Sequence, residues 1–169
     1  CNIELTAGGS KMNKYMNMNN KNMSRKNGTL KWVGLVELIM GALNLSNGLL
    51  SMYVLFSQGQ AVLDEIQKNN NITVTMSEMT ISVLVTVVLG AAMLAAGLIA
   101  MMFNGIKGKE KLPFVMGIIL LVCILASNII NIVMLRSTFS LSFILWVVIH
   151  GLYLYGAYRN KQNIETENL

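Results

Sequence analysis

Apolar residues in this chain gather into four long stretches, at about residues 32–56, 80–103, 113–135 and 139–158, with polar segments between them. Each stretch is close to the ~20 residues that an α-helix needs to cross a hydrocarbon core ~30 Å thick. Only helices and closed barrels satisfy their backbone in lipid. The pattern therefore predicts an all-α integral membrane protein, a four-transmembrane-helix bundle. Local signals mark the helix ends. Thr75-Met76-Ser77-Glu78 has the spacing of a capping box, so the second helix is expected to start ahead of its apolar run. Asn104-Gly105 suits the end of that helix. Pro113, the only proline, suits the first turn of the third. Arg136-Ser137-Thr138 leaves room only for a tight connection, which makes the third and fourth helices an antiparallel hairpin. Ala61-Val62-Leu63-Asp64-Glu65-Ile66 reads as a continuation of the first helix, ended by Asn69-Asn70-Asn71.

Small and polar residues recur inside the apolar stretches. Gly34, Gly41 and Gly48 fall every seven residues, and Glu37, Asn44 and Ser51 fall every seven between them, so all six share one helical stripe. In the second stretch Gly90 and Gly97 are seven apart, and Ala92, Ala96 and Ala100 form a small-xxx-small ladder. In lipid, small residues let helix backbones approach and polar residues bond across helices. Both stripes predict helix-docking faces. They leave open whether the docked helix belongs to this chain or to another subunit.

Charge supplies the orientation. Lys21, Arg25, Lys26 and Lys31 precede the first stretch; Lys107, Lys109 and Lys111 lie between the second and third; Arg159 and Lys161 follow the fourth. The other two connections hold only Lys68 and Arg136. The positive-inside rule then predicts both termini in the cytoplasm and a multi-pass protein of the cell (plasma) membrane. Trp32 and the group Tyr153, Tyr155 and Tyr158 fall where an aromatic belt at the cytoplasmic boundary is expected. Charged residues make up 12% of the chain, about half the share in soluble domains. The net charge of +5 sits beside the spans, where it sets topology and meets lipid head groups rather than nucleic acid. Residues 12–31 read as a basic, polar cytoplasmic arm and 159–169 as a cytoplasmic tail. Residues 1–11, with Ala7-Gly8-Gly9-Ser10, resemble an appended linker, and Glu167-Asn168-Leu169 the remnant of a tag. The alternative reading of Cys1, as the lipidated first residue of a lipoprotein, would place the N-terminus outside.

Candidate chemistry is sparse. There is no Walker loop, GxSxG or HExxH, and no Cys/His cluster, so neither an enzyme, a cofactor nor a metal is expected. Glu37 and His150 are ionisable residues within spans, and such residues are functional candidates by default. Helical rise places them at similar depths. One reading is a proton-responsive pair in a transport path. The other, which is favoured, has Glu37 reaching interfacial water while His150 bonds a carbonyl or an Asn. Asn44 and Asn47 on the first helix match Asn128 and Asn131 on the third in depth. They are expected to act as polar glue between those helices, the alternative being a polar cavity.

Small size, no large soluble domain and prominent docking faces fit a small bacterial membrane protein that acts non-enzymatically through helix–helix contacts. Its role would be that of an accessory subunit or immunity-type factor. Its expected partners are the lipid bilayer and another membrane protein or a second copy of itself. The alternative is a small oligomeric transporter or channel using Glu37 and His150. In its four spans and its Glu on the first, the chain resembles the small multidrug transporters, although Glu37 lies nearer the membrane edge than a midplane carboxylate. A third reading pairs Cys123 with His150 as an intramembrane nucleophile and base, but Cys123 lies between Val122 and Ile124 with no activating charge.

Overall fold

The computed structural model describes residues 26–70, 73–135 and 141–167. Among them it is all-helical: α1 (Gly28–Asn70), α2 (Met76–Phe103), α3 (Lys111–Leu135) and α4 (Leu141–Thr166). Three of these helices, α1 to α3, are long and apolar enough to cross a membrane. The fourth does not reach that measure among the described residues. Its apolar run is interrupted by His150 and gives way to Tyr155, Tyr158 and Arg159-Asn160-Lys161.

Each helix packs against the next in chain order, and α1 closes the ring against α4. Facing residues run in opposite directions along neighbouring helices, as with Gly34 beside Ala100 and Gly48 beside Val87, so α1 and α2 are antiparallel. The core contains Leu30, Met93, Ala96, Ala100, Leu120, Ile124, Tyr153 and Ala157. Outside it, Leu43, Leu50, Val88, Ile129, Val133 and Leu145 are all more than half exposed. Glu37, His150 and Asn160 meanwhile sit inside. A broad apolar outer face over a partly polar interior suits lipid and not water.

The capping box is present: the Glu78 N–H donates to Thr75 Oγ1 at 3.3 Å, and the Thr75 N–H donates to Glu78 Oε2 at 2.7 Å. Asn104 caps the other end of α2, and Gly105 follows with φ of 79°, the left-handed region that glycine enters most readily. α1 continues through the expected extension but bends at Gln58 (φ −138°, ψ 23°). Beyond the bend it folds onto the start of α2, where Leu55, Leu63, Val74 and Met79 form a second small core. Gln67 Nε2 ties it down by donating to the Val74 carbonyl at 2.8 Å.

Two helices extend past the apolar spans read from the sequence. α1 begins at Gly28, inside the expected polar arm, because Leu30 is fully buried in the core. α4 runs on to Thr166 rather than ending near 158, because Asn160 and Ile164 are fully buried and hold the extra turns. Residues 1–25, with Cys1, the expected linker and most of the basic arm, lie outside the described residues, as do Arg136-Ser137-Thr138 and Asn168-Leu169.

A knot of amides closes the end of the bundle that carries the start of α1 and the end of α4. The Asn27 backbone N–H donates to Asn104 Oδ1 and Asn104 Nδ2 donates to the Asn27 carbonyl, both at 2.8 Å. Asn27 Nδ2 donates to the Gly156 carbonyl at 3.2 Å. The Gly105 N–H donates to Asn160 Oδ1 at 3.0 Å. These bonds tie α1, α2 and α4 together where α2 has just ended and its backbone groups need partners.

Candidate functional site

The two small-residue stripes meet each other. A Cβ on Gly41 would stand 2.5 Å from the Leu94 backbone nitrogen; one on Gly90, 2.5 Å from that of Leu45; one on Gly97, 2.6 Å from that of Leu38. Gly34 faces Ala100 and Gly48 faces Val87 in the same way. Ala96 and Ala100 are fully buried and Ala92 is half-buried on the same helix. The docked helix that the stripes left open is therefore α2 on α1, within this chain.

Glu37 lies between Gly34 and Gly41 on that stripe, so the register that docks α1 also turns its carboxylate inward. It has no exposed surface, and His150 on α4 is 1% exposed. His150 Nδ1 and Glu37 Oε1 are hydrogen-bonded to one another. The favoured reading from sequence, a Glu in contact with interfacial water and a separate His, is thereby corrected. The two groups share a depth, and α4 is rotated so that each satisfies the other in a place where either charge alone would be costly.

Two rings on α4 enclose the pair. Trp146, four residues before His150, stacks on its imidazole with centroids 5.5 Å apart and planes 17° from parallel. Tyr153, three residues after it, is fully buried, and its hydroxyl donates to the Ala96 carbonyl at 2.9 Å. Tyr153 thus belongs to the core and not to an interfacial belt; Tyr155 and Tyr158, at 53% and 44% exposure, face outward as expected. The i, i+4, i+7 spacing of Trp146, His150 and Tyr153 was the available signal for this shared face. Glu37 Oε2 and His150 Nε2 have no hydrogen-bond partner among the described residues.

The pair joins two ionisable groups in one hydrogen bond. Holding one proton, it is neutral overall, either as carboxylate and imidazolium or as carboxylic acid and imidazole. Releasing that proton leaves one negative charge inside the bundle.

The asparagines do not form the expected glue between α1 and α3. Asn131 Oδ1 accepts from Ser82 Oγ on α2 at 2.6 Å. Asn44 Nδ2 reaches only Met93 Sδ, at 3.4 Å. Asn128 Nδ2 donates to the Ile124 carbonyl of its own helix at 2.9 Å. Asn47 is exposed on the outer face. Instead, Asn44, Asn128 and Asn131 border a cavity of about 230 Å³ to which all four helices contribute. Cys123 is half-buried and lines a separate groove with Ile81, Leu84 and Ile130. No hydrogen bond joins it to His150 among the described residues, so the nucleophile–base geometry is not present.

Compared with family models, curated proteins and solved structures, the chain matches none of them.

Proposed function

We propose that this chain is a small four-span transporter of the cell membrane in which the Glu37–His150 pair takes up and releases a proton. The observation that carries the reading is the pair itself: two ionisable groups, fully enclosed, bonded to each other across α1 and α4. A structural contact between those helices needs no ionisable residue, and burying one is costly. Proton binding here changes the charge of the interior and the bond that holds α4 to α1. That is the coupling a proton-driven movement of helices requires.

The remaining parts of the reading have separate support. α4 completes the ring with the three apolar helices and turns Ile144, Leu145, Val148 and Leu152 outward, as a fourth span would. Lys26, Lys31, Lys107, Lys109, Lys111, Arg159 and Lys161 gather at the end holding the amide knot, which favours both termini in the cytoplasm. The accessory or immunity role draws on the small-residue faces for a docking partner. Those faces are used between α1 and α2, so the transport reading is the better supported.

The test is proton flux in vesicles. Purified protein is reconstituted with a trapped pH-sensitive dye, and a potassium diffusion potential is imposed with valinomycin. Proton entry several-fold faster than in protein-free vesicles is expected, with loss of that flux in Glu37→Gln. Gln keeps the shape and a hydrogen bond to His150 but cannot bind or release the proton. Undiminished flux in a folded Glu37→Gln protein would sink the proposal.

A further inference from the structure

The cavity beside the pair is lined in an unusual way for the middle of a membrane bundle. Asn44, Asn128 and Asn131 reach it from α1 and α3, and each has one end of its amide committed to a protein partner. The other ends, Oδ1 of Asn44, Oδ1 of Asn128 and Nδ2 of Asn131, carry no protein hydrogen bond among the described residues. The Ser127 hydroxyl adds a further group able to donate and accept. Phe143 and Trp146 supply flat apolar walls. No charged side chain lines the space among the described residues.

This chemistry selects a class of ligand. A charged solute would leave water for a low-dielectric space with no counter-charge in the wall, which is costly. A wholly apolar one would leave the amides unsatisfied. A small neutral molecule with several hydroxyl or amide groups satisfies both. The volume of about 230 Å³ equals roughly seven or eight waters at ~30 Å³ each, which limits the ligand to a short polyol, urea or a molecule of that size.

We infer that the cavity is the binding site for a small, uncharged, polar solute, of the polyol or urea class. Its position links it to the proton. Asn44 lies seven residues beyond Glu37 on α1, about two turns. Trp146 both lines the cavity and stacks on His150. A neutral solute is not driven by the membrane potential, so its uphill movement needs a coupled ion. A proton on the adjacent pair supplies it, and each cycle then carries one positive charge with the solute. Both the coupling and the passage of solute through this site rest on the transport reading above.

Osmotic swelling of vesicles tests it, with glycerol and urea as the probes and potassium acetate as the charged control. Glycerol or urea permeation several-fold above protein-free vesicles is expected. Asn44→Leu and Asn128→Leu should remove most of the gain, while Asn47→Leu, on the outer face of α1, should leave it intact. Both inner variants are mild: Asn44 gives up only a contact to sulfur, and Asn128 one to its own helix. Ultraviolet circular dichroism and the elution volume in detergent confirm that each is folded. No gain over protein-free vesicles, a gain untouched by both inner variants, or permeation of potassium acetate alone would each overturn the inference. Glycerol permeation without any proton flux would keep the solute site and remove the proton reading; proton flux with neither glycerol nor urea permeation would do the reverse.

Discussion

The bundle has two kinds of interface, and α1 takes part in both. Toward α2 it offers glycine, and the backbones come so close that a single added Cβ would strike main-chain atoms. Toward α4 it offers Glu37, which meets His150 through side chains, while at the end of the bundle the Leu30 backbone lies against Gly156, where an added Cβ would stand 3.1 Å from the Leu30 nitrogen and Cα. The first interface has two backbones in near contact and no room for alternatives. The second joins Glu37 to His150 and the Asn27 side-chain amide to the Gly156 carbonyl, next to a cavity lined by all four helices. Close-packed interfaces in proteins move as units, whereas motion concentrates where few contacts resist it. The transport reading therefore takes the α1–α2 pair as the fixed part of the molecule and α4 as the part that shifts.

The largest effect that separates the two interfaces is expected from Gly90→Ala. Its Cβ would stand 2.5 Å from the Leu45 nitrogen and 2.8 Å from its Cα, and neither atom belongs to a flexible side chain. The backbones must separate, and a loss of about 3 kcal/mol, the upper part of the usual range for overpacking, is expected. Titration of the folded protein with SDS in mixed micelles, followed by circular dichroism, measures it. A loss near zero would mean that α1 and α2 slide freely and that the comparison is wrong.

How much of this was legible in the sequence differs between the interfaces for a physical reason. Close approach of backbones requires missing side chains, so Gly34, Gly41, Gly48, Gly90 and Gly97 announce their role by what they lack. A heptad spacing is enough to put them on one face. A bond between Glu37 and His150 needs more: the rotation of α4 about its axis, which depends on every contact α4 makes. The sequence thus marked both residues as candidates and offered their pairing as one of two readings, but favoured the one that set them apart. The same gap explains the Asn residues, whose depth was readable and whose direction was not. Asn104 was read only as the end of a helix, and its bonds to Asn27 were missed because Asn27 stands in a polar segment rich in Asn, where nothing distinguishes a buried amide from a hydrated one. The final turns of α4 were missed likewise, since Asn160 and Ile164 alone face the core amid polar neighbours.

A smaller effect sharpens the comparison on the α4 side. Tyr153→Phe keeps the ring in the core and deletes only the hydroxyl that donates to the Ala96 carbonyl. That carbonyl belongs to a continuous helix, so it keeps its own i+4 partner and is not orphaned. A loss of about 0.6–1 kcal/mol is expected in the same SDS titration. This is well below the cost at Gly90, because one bond goes while no backbone moves. A loss as large as that of Gly90→Ala would show that α4 is held as firmly as α2 and is not the mobile element.

The smallest effect, and one of opposite sign, is expected at Gly151. It follows His150 directly but points to the outside: nothing lies within 4 Å of where its Cβ would stand. The residue is mid-helix in α4, where glycine is poorer than alanine by up to ~1 kcal/mol because it gains more freedom on unfolding. Gly151→Ala should therefore stabilise the protein slightly, by a few tenths of a kcal/mol to ~1, and leave proton flux in vesicles near its original rate. Destabilisation would point to a neighbour seated on α4 from beyond the described residues, since these offer no atom within 4 Å for the new methyl group to meet. Glycines of identical composition thus give opposite answers at positions 90 and 151. What decides between them is whether a helix of the same chain already occupies the space.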